Sequence, residues 1–181
     1  MGVTLPGYMD LDAYDRADTR LRGRGTDRMN DSSDRRAIQE MRIALPETAD
    51  LQVQPLDLDD ACRRYTEDGY EVTAQLRQFL AVYGELTVAW TSGEWTHELT
   101  TSVERALEST HATPRTLAVL AKRLGFPVSL VGTAFDTEEA VLLAENGDIL
   151  LYGDAGFQRV ASGFGSAVRA LVTGDWDKSY F

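Results

Sequence analysis

The stretch Val141-Leu-Leu-Ala-Glu-Asn-Gly-Asp-Ile-Leu-Leu-Tyr152 constrains the fold more than any other part of the chain. Two apolar runs flank Asn146-Gly147, a dipeptide that tolerates positive φ at both positions of a tight turn. The spacing predicts a hairpin of strands Ala140–Glu145 and Asp148–Tyr152. Both runs are unbroken rather than alternating, so the strands must be covered on both faces. Pro127–Gly132 reads as a strand leading into this hairpin.

The helices are announced by caps and stops. Ser33 starts a predicted helix to about Leu45, with Ile38, Met41 and Leu45 on one face and Pro46 as its stop. Asp57 opens a second, in which Leu58, Ala61, Cys62 and Tyr65 follow the i, i+3, i+4, i+7 rule before Gly69. A third begins near Thr73, carries the stripe Leu76, Phe79, Leu80 and Tyr83, and closes at Gly84. Burying those four side chains contributes roughly 1.5–3 kcal/mol each before entropy is counted. Thr113-Pro114 places a cap before a proline at the first helical position, and Leu117, Leu120, Ala121 and Leu124 form the buried face up to Gly125. A last helix over about 163–172 buries Phe164, Ala167, Val168 and Leu171. Leu86, Val88 and Trp90 alternate with Thr87, Ala89 and Thr91 and so form a strand. Ser92-Gly93 turns it into a second strand in which Trp95, His97 and Leu99 share a face. Val103, Ala106 and Leu107 hint at a short helix between. The order predicts an α+β domain, an antiparallel or mixed sheet with helices packed against it. Residues 1–30 show no lasting apolar period and are read as a flexible tail, with a short helix over Asp10–Leu21 as their one candidate element, leaving 31–181 as the domain.

The chain of 181 residues carries a net charge of −11. Residues 1–56 hold 10 acidic side chains and 8 arginines, whereas 57–181 hold 19 acidic and 10 basic ones. An acidic surface repels nucleic acid, whose phosphates need clustered Lys and Arg. It suits a basic protein partner or simply keeps the chain soluble, and charge alone does not separate the two. No apolar run reaches membrane-spanning length, and Met1–Arg24 has no apolar core of signal-peptide length. The single cysteine, Cys62, excludes an internal disulfide and a cysteine-built zinc cage, and points to a reducing cytoplasm.

Chemistry-bearing patterns are missing. There is no phosphate-cradling glycine loop, no G-x-S-x-G and no H-E-x-x-H. His97 and His111 sit on different elements with no carboxylate at ligand spacing, and Glu98 points to the face opposite His97. His97, between Trp95 and Leu99, reads as a structural histidine. Cys62, inside an apolar stripe, reads as an inert thiol in preference to a nucleophile. Trp90 and Trp95 flank a turn and could stack a sugar or a base; cross-linking the hairpin is the favoured role. No metal, cofactor or catalytic set is expected.

From Leu56 to Trp176 the order of elements resembles the SUKH superfamily, its third family in particular. The resemblance is carried by Leu76-Arg-Gln-Phe-Leu-Ala-Val-Tyr-Gly-Glu-Leu86, by Ala121-Lys-Arg-Leu-Gly-Phe-Pro-Val-Ser-Leu-Val-Gly132, by the Val141–Tyr152 hairpin and by Gly163-Phe-Gly-Ser-Ala-Val-Arg-Ala-Leu-Val-Thr-Gly174. The chain departs from the family at Leu130, where a proline is expected, in lacking an N-terminal Gly-Trp…Arg signature, and in having residues 1–30. The resemblance implies a non-enzymatic immunity protein of bacterial polymorphic toxin systems, which binds and neutralises a cognate toxin, often a nuclease or deaminase. A regulatory scaffold for a non-toxin partner and a small-ligand domain or enzyme are the alternatives. Acid-rich loops are then the candidate partner-binding surface: Glu94, Asp136, Glu138, Glu139 and Asp154, free to carry recognition because loop side chains do not support the core. Oligomeric state is not legible.

Overall fold

A computed structural model describes residues 35–178. The tail of residues 1–30, the helix at Asp10–Leu21 and the cap at Ser33 lie outside the described residues. The chain forms helix α1 (35–44), strand β1 (Ala49–Val53), helices α2 (Leu58–Glu67) and α3 (Ala74–Tyr83), and strands β2 (Leu86–Ser92) and β3 (Trp95–Thr100). Helices α4 (Val103–Leu107) and α5 (Pro114–Leu124) follow, then strands β4 (Val128–Ala134), β5 (Glu139–Ala144), β6 (Asp148–Gly153) and β7 (Gly156–Ser162), and helix α6 (Phe164–Thr173).

The expected α+β architecture is present, and the sheet is antiparallel throughout rather than mixed. Its seven strands lie in sequence order, each paired with the next. Only two crossings leave the sheet: α2 and α3 between β1 and β2, and α4 and α5 between β3 and β4. Caps act as the residue types require. Asp57 accepts the N–H groups of Asp59 and Asp60, Thr73 that of Leu76, and Thr113 that of Thr116, while Gly125 ends α5 with φ +82°. These bonds satisfy amide groups that have no partner within the helix. Helix α4 has no side-chain cap from Ser102; instead Glu85 reaches across, and its carboxylate accepts the Val103 N–H at 2.9 Å.

The register explains the unbroken apolar runs. Ala140 opposes Tyr152 and Leu142 opposes Leu150, while Val141 opposes Leu151 and Leu143 opposes Ile149. Successive side chains point to opposite faces, so both faces of β5 and β6 are apolar. Phe157 lies on the face of Tyr152 and is covered by the Arg123 guanidinium of α5, 4.8 Å from the ring centre. Gln158, opposite Leu151 on the other face, donates to the carbonyl of Lys178 beyond α6. Phe164 of α6 stacks edge-on against Phe79 of α3 at 4.9 Å.

The Asn146-Gly147 turn differs from its expected form. Gly147 has φ +86°, but Asn146 is not in the left-handed region. Gly147 N–H donates to the Ala144 carbonyl, and the Asn146 side chain accepts the Asp148 N–H at 3.0 Å. The side chain thus closes the turn locally, as asparagine does, and only one position needs positive φ.

Strands β1 and β7 were not legible in the sequence. In β1 only Leu51 is buried, so an edge strand shows no alternation. In β7 the register slips opposite Ile149/Leu150, between Arg159 and Ala161. The extra residue, Val160, breaks the period of two that signals a strand.

Candidate partner-binding face

In a meander, alternate turns fall at the same end of the sheet. The β2–β3, β4–β5 and β6–β7 turns therefore share one end, and all five predicted acidic residues stand on or beside them. Glu94 is exposed in the β2–β3 turn. Asp136 and Glu138 are exposed in the β4–β5 turn, and Glu139, half-buried, opens β5. Asp154 is exposed in the β6–β7 turn.

The five do not form one even patch. Strands β3 and β4 overlap only at Leu99–Ala134 and Thr100–Thr133. Trp95 stands four positions beyond Leu99, so the hairpin tip overhangs the level of Ala134 by roughly 13 Å at ~3.3 Å per residue. Glu94 rides on that overhang, apart from the other four. Glu139 is drawn toward the β6–β7 turn: a Cβ on Gly153 would meet its Cγ at 2.9 Å.

Electrostatics divides them further. Arg105 of α4 sits 3.5 Å from both Glu98 and Glu138, so Glu138 faces a cation of the chain itself. His111 lies 3.5 Å from Asp154. Burial pushes the Glu139 carboxyl above the usual range, with His111 pulling the other way. Glu94 and Asp136 form no ion pair among the described residues.

The same end holds an aromatic group that the charge pattern of the sequence does not signal. Trp90, 3 % exposed, opposes His97 across the hairpin, their rings 5.6 Å apart. Phe135, in the β4–β5 turn, closes on both, edge-on to Trp90 at 5.8 Å and to His97 at 5.6 Å. His97 is thus a structural histidine, as expected. Phe135 does this from φ +64°, and Glu138 in the same turn has φ +51°. A bulky residue at positive φ is uncommon and costs energy; here it turns the ring onto Trp90 and His97. Trp95 corrects the cross-linking role expected of it. It opposes Ser92, not Trp90, and is 70 % exposed. A cavity of about 160 Å³ lies between this cluster and the end of α6, with Trp90, Ser92, His97, Phe135, Trp176 and Lys178 in its wall. The lone Trp176 gave no signal in the sequence, because only the fold carries the end of α6 to β2.

Elsewhere, Cys62 is buried and takes a contact from the Arg77 guanidinium at 3.5 Å. Among the described residues no three His, Cys, Asp or Glu side chains come together as metal ligands, and no helix is long and apolar enough to cross a membrane.

No curated protein and no solved structure matches the chain. Residues 49–174 match the SUKH-3 immunity protein family, a span that runs from the first residue of β1 to the glycine ending α6. The match covers well over half of the sequence and takes in every strand of the meander, and the chain belongs to the SUKH-3 immunity protein family.

Proposed function

We propose that the chain binds and neutralises a cognate bacterial toxin by protein–protein contact in the cytoplasm, without catalysis, and that its partner face is the sheet end bearing Glu94, Asp136, Glu138, Glu139 and Asp154. The observation that carries this reading is the placement of three acid-bearing turns at one end of a rigid meander in a member of an immunity family. Loops on a packed sheet can be spent on recognition without cost to the core. A toxin such as a nuclease, which presents Lys and Arg to phosphate, offers a surface that these carboxylates complement. The acidic balance of residues 57–181 extends that field, which speeds association and is screened by salt.

The test is kinetic. A toxin domain found encoded beside this chain is to be titrated against the wild type and against the double variant Glu94→Lys, Asp136→Lys. Both positions are exposed and lack ion pairs among the described residues, so folding is unaffected. The variant is expected to associate about 10-fold more slowly at low salt, with a flatter salt dependence. An unchanged rate and salt slope would remove this face from the interface.

A further inference from the structure

We infer that the unpaired edge of β4, over Val128–Leu130, docks an extended peptide segment of a partner protein, which adds a short strand in the gap between the two halves of the sheet. The inference goes beyond the proposed function, because this edge is at the start of β4 and the acid-bearing β4–β5 turn is at its end. Strand β3 pairs with β4 only at Leu99–Ala134 and Thr100–Thr133. Past Thr100 the chain leaves the sheet for α4. Residues 128–132 therefore have β5 on one side and no strand on the other. The hydrogen-bond phase tells which groups face the gap. The Glu145 N–H donates to the Pro127 carbonyl, and bonding to one neighbour recurs at every second residue of an antiparallel strand. Ser129, opposite Leu143, thus bonds to β5, while Val128 and Leu130 turn their N–H and C=O groups away from it.

These four groups have no hydrogen-bond partner among the described residues. Leu130 is 1 % exposed, and buried main-chain groups left without partners are rare. A cavity of about 270 Å³ is lined by Pro127, Val128, Ser129 and Leu130 together. Side chains of a strand alternate between its faces, so four consecutive residues line one cavity only where it runs along the strand's edge. Its far wall is α5 and the α2–α3 connection, apolar at Tyr70 and Leu117. The pattern of orphan groups selects the occupant. Two N–H and two C=O groups recur at a two-residue spacing of roughly 6.6 Å, and an extended main chain presents the matching acceptors and donors at that same repeat. The apolar wall then receives one of its side chains. The outer edge of the sheet is treated differently. At β1 the Gln54 N–H bonds the Glu85 carbonyl, so Leu51 faces outward by the same phase, and Arg42 donates to its carbonyl at 3.1 Å. The chain answers its outer edge with its own arginine and leaves the inner edge bare, and a bare edge is a template for a strand from another chain.

The experiment uses the full chain and a capped tripeptide, N-acetyl-Ala-Leu-Ala-amide, at millimolar concentration. The backbone amide resonances of Val128 and Leu130 should shift saturably, and at saturation their hydrogen exchange should slow at least tenfold while the amides of the 135–138 turn keep their rates. The analogue methylated at the leucine nitrogen lacks the central donor and leaves a buried acceptor unmet, so it should bind at least tenfold more weakly. Ala118 is exposed and lines the same cavity. Ala118→Trp should therefore block the mouth and weaken tripeptide binding at least tenfold at unchanged Tm. No saturable shift at Val128 and Leu130 would overturn the inference. So would a methylated analogue, or an Ala118→Trp variant, that binds within twofold of its reference. A Val128 amide that exchanges more slowly than that of Ser129 before any tripeptide is added would also overturn it, because residues 1–34 or a second copy would then already fill the edge. None of these readouts involves a toxin, so their failure leaves the proposed function untouched.

Discussion

The Gly132 α-carbon faces the Thr100 carbonyl so closely that a Cβ on Gly132 would lie 2.1 Å from that oxygen. Gly132 sits at the register slip of β4, where Val131 is the extra residue, against the end of the short β3–β4 overlap. That overlap joins the β1–β3 half of the sheet to the β4–β7 half. Gly132→Ala must push the two halves apart, and backbone cannot give way as a flexible side chain can. We expect a loss of about 3 kcal/mol or more, read as a lower urea midpoint. A variant within 0.5 kcal/mol of wild type, taken as the ~0.5 kcal/mol scatter of neutral substitutions, would show that the junction is looser than described.

Residues 31–181 are expected to fold as a unit without residues 1–30. Buried side chains among those described begin at Met41 and the sheet at Ala49, and the family match begins at 49. A fragment of 31–181 should keep its Tm within a few degrees of the full chain, since ~1 kcal/mol moves Tm by about 2–8 °C at this size. Limited proteolysis should converge on the same fragment. A Tm lowered by tens of degrees would make the first 30 residues part of the folded domain.

Asp148 holds the β6–β7 edge. Its carboxylate accepts two bonds from Arg159, at 2.7 and 2.8 Å, and these hold the carboxyl below the usual range against the opposing effect of burial. A carboxyl with a depressed folded pKa stabilises the fold above the unfolded pKa, about 3.9, and loses that contribution as pH falls through its folded value. Asp148→Asn should therefore be less stable than wild type at pH 7, with the gap closing toward pH 3. Urea midpoints at both values measure it. An equal gap at both would mean that the pair acts through shape rather than charge.

How much was legible depended on whether a signal was local. Caps are local, so Asp57, Thr73 and Thr113 named their helices in the sequence. Hairpins with a turn dipeptide are local too, which is why β5–β6 was found. Edge strand β1, with one buried residue, and bulged β7 carry no periodic signal. Composition places the five acidic positions in loops, and the meander gathers them at one end, an arrangement no loop composition encodes. What composition could not reveal was their inequality: Glu138 meets Arg105 and Asp154 meets His111 only because α4 and the α4–α5 connection return to that end. Trp95 carried a misleading local signal. A tryptophan on each side of Ser92-Gly93 looks like a cross-strand pair, but the register offsets Trp90 from Trp95 by two residues.

Glu139 separates stability from recognition at the proposed face. It is half-buried beside Gly153, and burial, opposed by His111, raises its carboxyl above the ordinary range. An acid whose folded pKa exceeds its unfolded value costs stability when ionised. That cost is full above the folded pKa and vanishes below the unfolded value, about 4.3. Glu139→Gln keeps the shape and removes the charge, so it should be more stable than wild type at pH 7 and equal to it near pH 3.5. Its effect on toxin association should be smaller than that of Asp136→Gln, because Asp136 is exposed and forms no ion pair among the described residues while Glu139 is half-shielded. Parallel urea melts at the two pH values and association rates at low salt test both halves. A Glu139→Gln variant that is less stable at pH 7, or that slows association as much as Asp136→Gln, would mean that the ionised carboxylate has a partner at this end of the sheet, and Glu139 would then rank with the exposed acids as a contact residue.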